Sequence, residues 1–479
     1  MKLLFVASLT VCLLFGANLA IATRDTVATP EERGAAFIDA LNPESGTDWE
    51  TYITENFSAE FVERRGIDGL IRIMAMISDD VGRVRIESVE KQDDNTLRLV
   101  VYSETADHWL AFGLGFDPLP GHLISSFEAL FIPAPLARDK VGLADEGLAE
   151  EIAAYIHDKA ETDQFSGAVI VAHDGKAIFA EAFGDADKKT RRKNTLDTPV
   201  NLGSMNKMFT ALAIAQLVDE GLLDYADTVG QHLPDYPNPV VRNEVTIHQL
   251  LSHTSGLGSY WGKKFDSKKN DLTTVADFVA LFAEDPLEQP PGKGFLYSNN
   301  GPTVAGLIIE KVSGLSYYDY IRQNIYLRAR MTRSDHYRKD DNGAGFAIGY
   351  EKTESGEWQD NIDWLGMIGG PAGGGYASAN DLLRYSSALS GGDIVSAAQV
   401  ETVTSGKIRL AEDFAYGYGF GEHELAGQRY VGHNGGAPGT NAEFSLFPEL
   451  GYTVIVLANY GHAATPVADY LRQLIAHSK

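Results

Sequence analysis

The stretch Asn201-Leu202-Gly203-Ser204-Met205-Asn206-Lys207-Met208-Phe209-Thr210 runs straight into Ala211-Leu212-Ala213-Ile214-Ala215-Gln216-Leu217, whose apolar residues recur at a helical period. The pattern predicts a helix that begins at or near Ser204, where a side chain meets the unpaired N–H groups and the positive end of the helix dipole. Lys207 follows three residues later, a spacing that places an amine and a hydroxyl on one face. A neutral amine in that position can take the serine proton, and the helix end can stabilise the oxyanion that results. Taken alone, S-x-x-K is a common chance pattern, most often a solvated helix turn. The reading as a serine acyl-transfer site therefore depends on partners elsewhere in the chain.

Two partners follow downstream. Tyr297-Ser298-Asn299 lies between Pro290-Pro291-Gly292 and Gly301-Pro302, which predicts a loop just before a helix with side chains turned into a cleft. A phenol beside an ammonium ionises more readily, so Tyr297 next to Lys207 is expected to shuttle the proton between Ser204 and the leaving group. Asn299 is expected to offer its amide to the substrate and to Lys207. The third stretch, Gly432-His433-Asn434-Gly435-Gly436-Ala437-Pro438-Gly439, directly follows a strand expected to end near Val431, and a strand running into glycines brings backbone N–H groups close to a ligand. There Gly436 would supply a second oxyanion donor opposite the N–H of Ser204, and His433 would orient the acyl group or help with proton traffic.

The remaining chain bounds these expectations. Met1-Lys2, the apolar run Leu3 to Phe15 and the small-x-small site Ala20-Ile21-Ala22 read as a secretory signal peptide covering residues 1–22. The only cysteine, Cys12, falls inside it, so a cysteine-free mature protein in the periplasm or beyond is expected, with no stable membrane span after cleavage. A net charge of −26 argues against nucleic acid and anionic membrane surfaces as partners and leaves a small molecule or peptide as the expected substrate. No G-x-S-x-G elbow or phosphate-binding loop is present, and His423-Glu424 lacks the second histidine of H-E-x-x-H. The chemistry foreseen thus calls for no cofactor and no metal.

Residues 23–138 read as a small α+β domain, with helical patterns at Glu31–Leu41, Asp48–Asn56 and Ile67–Ile77. Strands are expected after them at Val84–Val89, Thr96–Ser103, Trp109–Phe116 and Leu123–Ile132. This order resembles the nuclear-transport-factor-like cone. Pro133-Ala134-Pro135 opens a linker into a second α+β domain, residues 139–479. It is expected to start with a hairpin turning at Asp174-Gly175 and to end with strands at Tyr416–Glu422, Gln428–Gly432, Ala442–Phe447 and Thr453–Ala458. Strands from both ends would join one antiparallel sheet, with a helical lobe between them. The basic run Lys188 to Lys193 reads as a solvated loop.

S-x-x-K, Y-x-N and H-x-G in this order resemble the serine β-lactamase and penicillin-binding-protein superfamily, in its class C-like branch of esterases and D-amino-acid peptidases. Leu250 to Leu257, L-L-S-H-T-S-G-L, and Gly374 to Ser378 fit the same resemblance, which covers roughly Leu148 to the C-terminus. It implies a β-lactamase-like fold, with Ser204 as the acylated nucleophile, Lys207 its activator, Tyr297 the general base and His253 a structural tie. It also implies a serine hydrolase acting on an ester, a D-amino-acid amide or a β-lactam. The alternative is a non-catalytic cell-wall or peptide-binding protein of the same fold. Two departures stand out: His433-Asn434-Gly435 replaces K-T-G, losing the lysine that helps to hold a substrate carboxylate, and Leu327 to Met331 departs from P-L-G-M.

Overall fold

The computed structural model describes residues 28–478 except 105–107, 119–120, 133–135, 342–344 and 354–355. The expected signal peptide with Cys12 and the linker residues Pro133 to Pro135 lie outside the described residues. The chain divides into two compact units between Ala134 and Pro135.

In the first unit, helices α1 (Pro30–Leu41), α2 (Trp49–Asn56), α3 (Ala59–Arg65) and α4 (Ile67–Val81) precede β1 (Val84–Lys91), β2 (Thr96–Ser103), β3 (His108–Phe116) and β4 (Ile124–Ile132). The strands form one sheet in sequence order. Phe37, Ile53 and Met74 from the helices meet Leu99, Leu110 and Phe112 from the strands in its core. Helix α3 was absent from the sequence reading; Ser58 caps it, its hydroxyl accepting from the N–H of Phe61.

The second unit opens with α5 (Asp145–Glu161) and the hairpin β5 (Gly167–His173) and β6 (Lys176–Phe183). Asp174 and Gly175 both take positive φ, 49° and 73°, which suits a two-residue hairpin turn. At the other end come β7 (Ile408–Ala411), β8 (Phe414–Tyr416), β9 (Gly421–Leu425), β10 (Gln428–Ala437), β11 (Thr440–Phe447) and β12 (Tyr452–Ala458). One 8-stranded sheet orders them β7-β8-β9-β10-β11-β12-β5-β6, so the last strand pairs antiparallel with the first. On one face, α5 and the C-terminal helix α6 (Ala464–Ala476) bury Ile152, Ile156, Leu471 and Leu474 against Val169, Val454 and Val456. The other face packs on the helical lobe, whose centre is the helix Lys207–Asp219, buried on every side from Lys207 to Leu217.

The final strands depart from the sequence reading in two places. Tyr416–Glu422 is two strands, β8 and β9, because Gly419 turns the chain at φ +67° and presses it onto the helix at Lys207; a Cβ there would lie 2.5 Å from the Lys207 carbonyl oxygen. Strand β10 does not stop near Val431. Its pairing with β11 continues through Gly435↔Ala442, Gly436↔Asn441 and Ala437↔Thr440, so the glycine stretch prolongs the strand. In the basic run, Lys189, Thr190, Arg191 and Lys193 are exposed as expected, while Lys188 sits over the rings of Tyr350, Trp358 and Tyr460.

Candidate active site

Ser204 lies in a tight 3₁₀ turn, Gly203–Asn206, that leads directly into the Lys207–Asp219 helix. Two backbones brace this turn. From the glycine-dense stretch Ile368 to Gly375, the N–H of Gly374 bonds Gly203 O at 3.2 Å, and the N–H of Leu202 bonds Gly375 O at 2.8 Å. From β10, Gly436 abuts Gly203, which has φ +49°; a Cβ on Gly203 would fall 2.6 Å from the Gly436 nitrogen. A Cβ on Gly435 would fall 1.8 Å from Leu202 O. Only glycines let the strand and the turn come so close. Gly436 is exposed beside Ser204.

Lys207 is 1% exposed, and its amine has three neighbours: Ser204 Oγ at 3.1 Å, Asn299 Oδ1 at 2.8 Å and Ala372 O at 2.7 Å. The last two can only accept. They take two N–H groups, which leaves the lone pair of a neutral amine turned to the Ser204 hydroxyl. Burial lowers the Lys207 pKa to about 7, within reach of that neutral form at ordinary pH. Asn299 Nδ2 bonds Ser259 Oγ at 3.0 Å, which fixes the amide with its oxygen toward Lys207.

Tyr297 places its ring 4.8 Å from the Lys207 amine, with Ser204 close enough to act on its phenol. Burial holds its phenol above the ordinary value, with Ser204 opposing. This is opposite to the easy ionisation expected from the sequence. A desolvated lysine with a pKa of about 7 is a weak source of positive charge for its neighbour, and the packing of protein around the phenol prevails even though the residue is 41% exposed. The Tyr297 loop is pinned from below: Leu296 N bonds His253 O at 2.8 Å, Ser298 N bonds His253 Nδ1 at 3.1 Å, and Ser298 Oγ bonds Gly258 O at 2.8 Å. His253 itself adopts φ +58°.

His433 does not turn free nitrogens to a substrate. Nε2 meets the Tyr416 hydroxyl at 2.9 Å, and Nδ1 meets Asn434 O at 2.5 Å. Burial, with the nearby Lys207 charge, lowers its pKa to about 4. The structure thus joins Ser204, Lys207 and Asn299 by hydrogen bonds, lays the Tyr297 ring over the Lys207 amine and sets Gly436 at the edge of the group.

Residues 152–477 match the family described as β-lactamase. The chain belongs to the β-lactamase family. This family is part of a superfamily of serine hydrolases that includes the penicillin-binding proteins. Penicillin-binding protein 4* of Bacillus subtilis (strain 168) is 32% identical over 318 residues, 62% of this chain and 69% of that protein. The crystal structure of a penicillin binding protein from Bacillus halodurans superposes with a TM-score of 0.62 at 30% identity, over 67% of this chain and 99% of that one. D-amino acid amidase from Ochrobactrum anthropi SV3 shares the fold, with a TM-score of 0.56 at 20% identity over 69% of this chain and 97% of that one.

In this β-lactamase-family site, two contributors were invisible in the sequence. Ala372 acts through its carbonyl, and a backbone group carries no residue signature. Tyr416 reaches His253 and His433 from a strand without a motif. Among the described residues, no group of three or more His, Cys, Asp or Glu side chains is placed to hold a metal, and no helix is long and apolar enough to cross a membrane.

Proposed function

We propose that this protein is a serine hydrolase that works through an acyl-enzyme on Ser204, with an ester or a D-amino-acid amide as substrate. The observation that carries this reading is the buried Lys207 amine, 3.1 Å from Ser204 Oγ with its other neighbours both acceptors. Ser204 Oγ attacks the substrate carbonyl carbon while its proton passes to the Lys207 lone pair. The N–H groups of Ser204 and Gly436 face the oxyanion that develops. Tyr297, a neutral phenol, gives its proton to the departing oxygen or nitrogen as the bond to the carbonyl carbon breaks. The ammonium and phenolate left side by side then neutralise by passing one proton from Lys207 to Tyr297. Water releases the acyl group by the same steps in reverse roles.

The amide branch draws support from the fold shared with the D-amino acid amidase, and the relation to penicillin-binding proteins keeps β-lactams among the substrates to try. The leader-like residues Met1 to Ala22 support action outside the cytoplasm. The test is labelling with a fluorophosphonate followed by peptide mass spectrometry, with p-nitrophenyl esters, D-alanyl amides and nitrocefin compared for turnover. An adduct on Ser204, absent in Ser204→Ala, is expected. An unlabelled but folded protein with no turnover of any of the three overturns the reading.

A further inference from the structure

Tyr416 joins two histidines that come from opposite sides of the site. His253 Nε2 lies 3.0 Å from its hydroxyl and His433 Nε2 lies 2.9 Å from it, and all three residues are buried. The direction of every bond follows from one fixed donor. Ser298 N–H bonds His253 Nδ1, so that nitrogen offers a lone pair and the His253 proton is on Nε2. His253 therefore donates to the Tyr416 oxygen. Tyr416 in turn donates its O–H to His433 Nε2, and His433 Nδ1–H donates to Asn434 O. Each member has one donor and one acceptor in use. A proton added at His433 Nε2 would turn two N–H groups onto one oxygen and leave the tyrosine hydroxyl proton without an acceptor in a buried place, which is costly.

Next to this chain is a cavity of about 430 Å³ that shares Tyr297, His433 and Asn434 with the site. Phe295, Leu410, Phe414 and Tyr416 make much of its wall. The cation on its wall, Arg472, is committed to Glu443, Ser445 and Asp469. His423, also on the wall, is stacked between Phe414 at 4.4 Å and Tyr430 at 4.7 Å, and burial lowers its pKa to about 3. Lys207 also acts on His433 electrostatically, and its amine is already shared among three neighbours.

We propose that Tyr416 sets the leaving-group specificity of this site: by fixing His433 as a hydrogen-bond acceptor, it keeps the cavity beside Tyr297 free of an uncommitted cation, so that the leaving group accepted there is uncharged and aromatic or apolar. The proposal rests on the hydrolase reading above, because it is Tyr297 as proton donor that places the leaving group at the mouth of this cavity. A departing group that carries a carboxylate would lose its water and meet aromatic walls with no partner. An aromatic one would exchange water for ring contacts.

The test compares phenyl acetate with the acetyl ester of 4-hydroxybenzoate, each rate taken relative to that ester's own hydroxide hydrolysis so that intrinsic reactivity cancels. The wild-type protein is expected to favour phenyl acetate in kcat/KM by about tenfold or more, as for a charge deprived of hydrogen bonds. In Tyr416→Phe, His433 Nε2 no longer has a donor aimed at it; burial still disfavours its charge, but a carboxylate leaving group beside it can hold a proton there, so the preference should shrink as the pH is lowered toward 4. In His433→Lys it should shrink at neutral pH as well. Fluorophosphonate labelling of Ser204 reports whether each variant keeps its site, and if Tyr416→Phe does not label, His433→Lys decides. Equal wild-type rates on the two esters, or an unchanged preference in a variant that labels, overturns the proposal while leaving the hydrolase reading standing. Absence of wild-type labelling and turnover overturns both.

Discussion

Lys207 and Asn299 meet amine to amide oxygen at 2.8 Å, and the far end of the same amide is held by Ser259. This contact orients the lysine without charging it. Asn299→Asp puts a carboxylate in its place, and an opposite charge at that range favours the ammonium by about 1 to 3 pKa units. The acidic limb of kcat/KM, expected near pH 7 in the wild type from the Lys207 pKa of about 7, should move upward in the variant. Activity should fall at pH 7 and recover toward pH 9. A pH–rate profile on one p-nitrophenyl ester checks both positions.

The same buried amine makes a stability prediction of definite sign. Lys207 has a pKa of about 7 when folded against 10.5 for an ordinary lysine, so between these values the unfolded chain holds the proton and the folded one does not. Wild-type stability should therefore rise with pH across that window, by about 1.4 kcal/mol per pH unit for this one group. Lys207→Met removes the effect. Its advantage over the wild type should be full below pH 7 and fade toward pH 10.5, as read from urea midpoints.

Acid should unfold the protein through its buried histidines. Burial lowers His336 to about 4, His433 to about 4 and His423 to about 3, against 6.5 in the open chain. As pH falls from 6.5 toward 4, the unfolded chain gains protons that the folded state refuses, and stability is lost. His336 has no hydrogen-bond partner on either ring nitrogen among the described residues and packs among Tyr317, Tyr318 and Tyr326. His336→Phe should flatten the acid limb by about 1.4 kcal/mol per pH unit and raise Tm at pH 5. Thermal melts from pH 4 to 7 provide the comparison.

Gly203→Ala tests the contact between the serine turn and β10. The new methyl meets the Gly436 nitrogen at 2.6 Å from a backbone already at φ +49°. The left-handed conformation alone costs about 1 to 2 kcal/mol for an alanine, and the clash adds to it. Tm should drop, and fluorophosphonate labelling of Ser204 should be lost in whatever protein remains folded, because the strand bearing Gly436 must retreat.

That Ser204, Lys207 and Tyr297 would converge was legible because S-x-x-K and Y-x-N are side-chain patterns that can be read locally. The hairpin at Asp174-Gly175 and the closure of the sheet by strands from both ends were legible from turn residues and alternation. The glycines after Val431 were misread for a physical reason: glycine has no side chain to announce a strand, and its pairing with Ala442 and Asn441 is supplied by the neighbouring β11. Tyr416 escaped notice because its two partners are 163 and 17 residues away and nothing local marks the meeting. The expected easy ionisation of Tyr297 rested on a neighbouring charge, whereas desolvation is the larger influence on both groups, on the buried Lys207 most of all.

In the large sheet, β5 pairs with β12, joining the start of the second unit to its final strand. The loop closed by that pairing spans most of the unit, a separation that slows folding. During synthesis, the hairpin β5–β6 waits with one edge bare until Tyr452–Ala458 has left the ribosome. A chain cut short before this strand would keep S-x-x-K, Y-x-N and H-x-G intact in its covalent sequence, yet have no continuous sheet on which to assemble them.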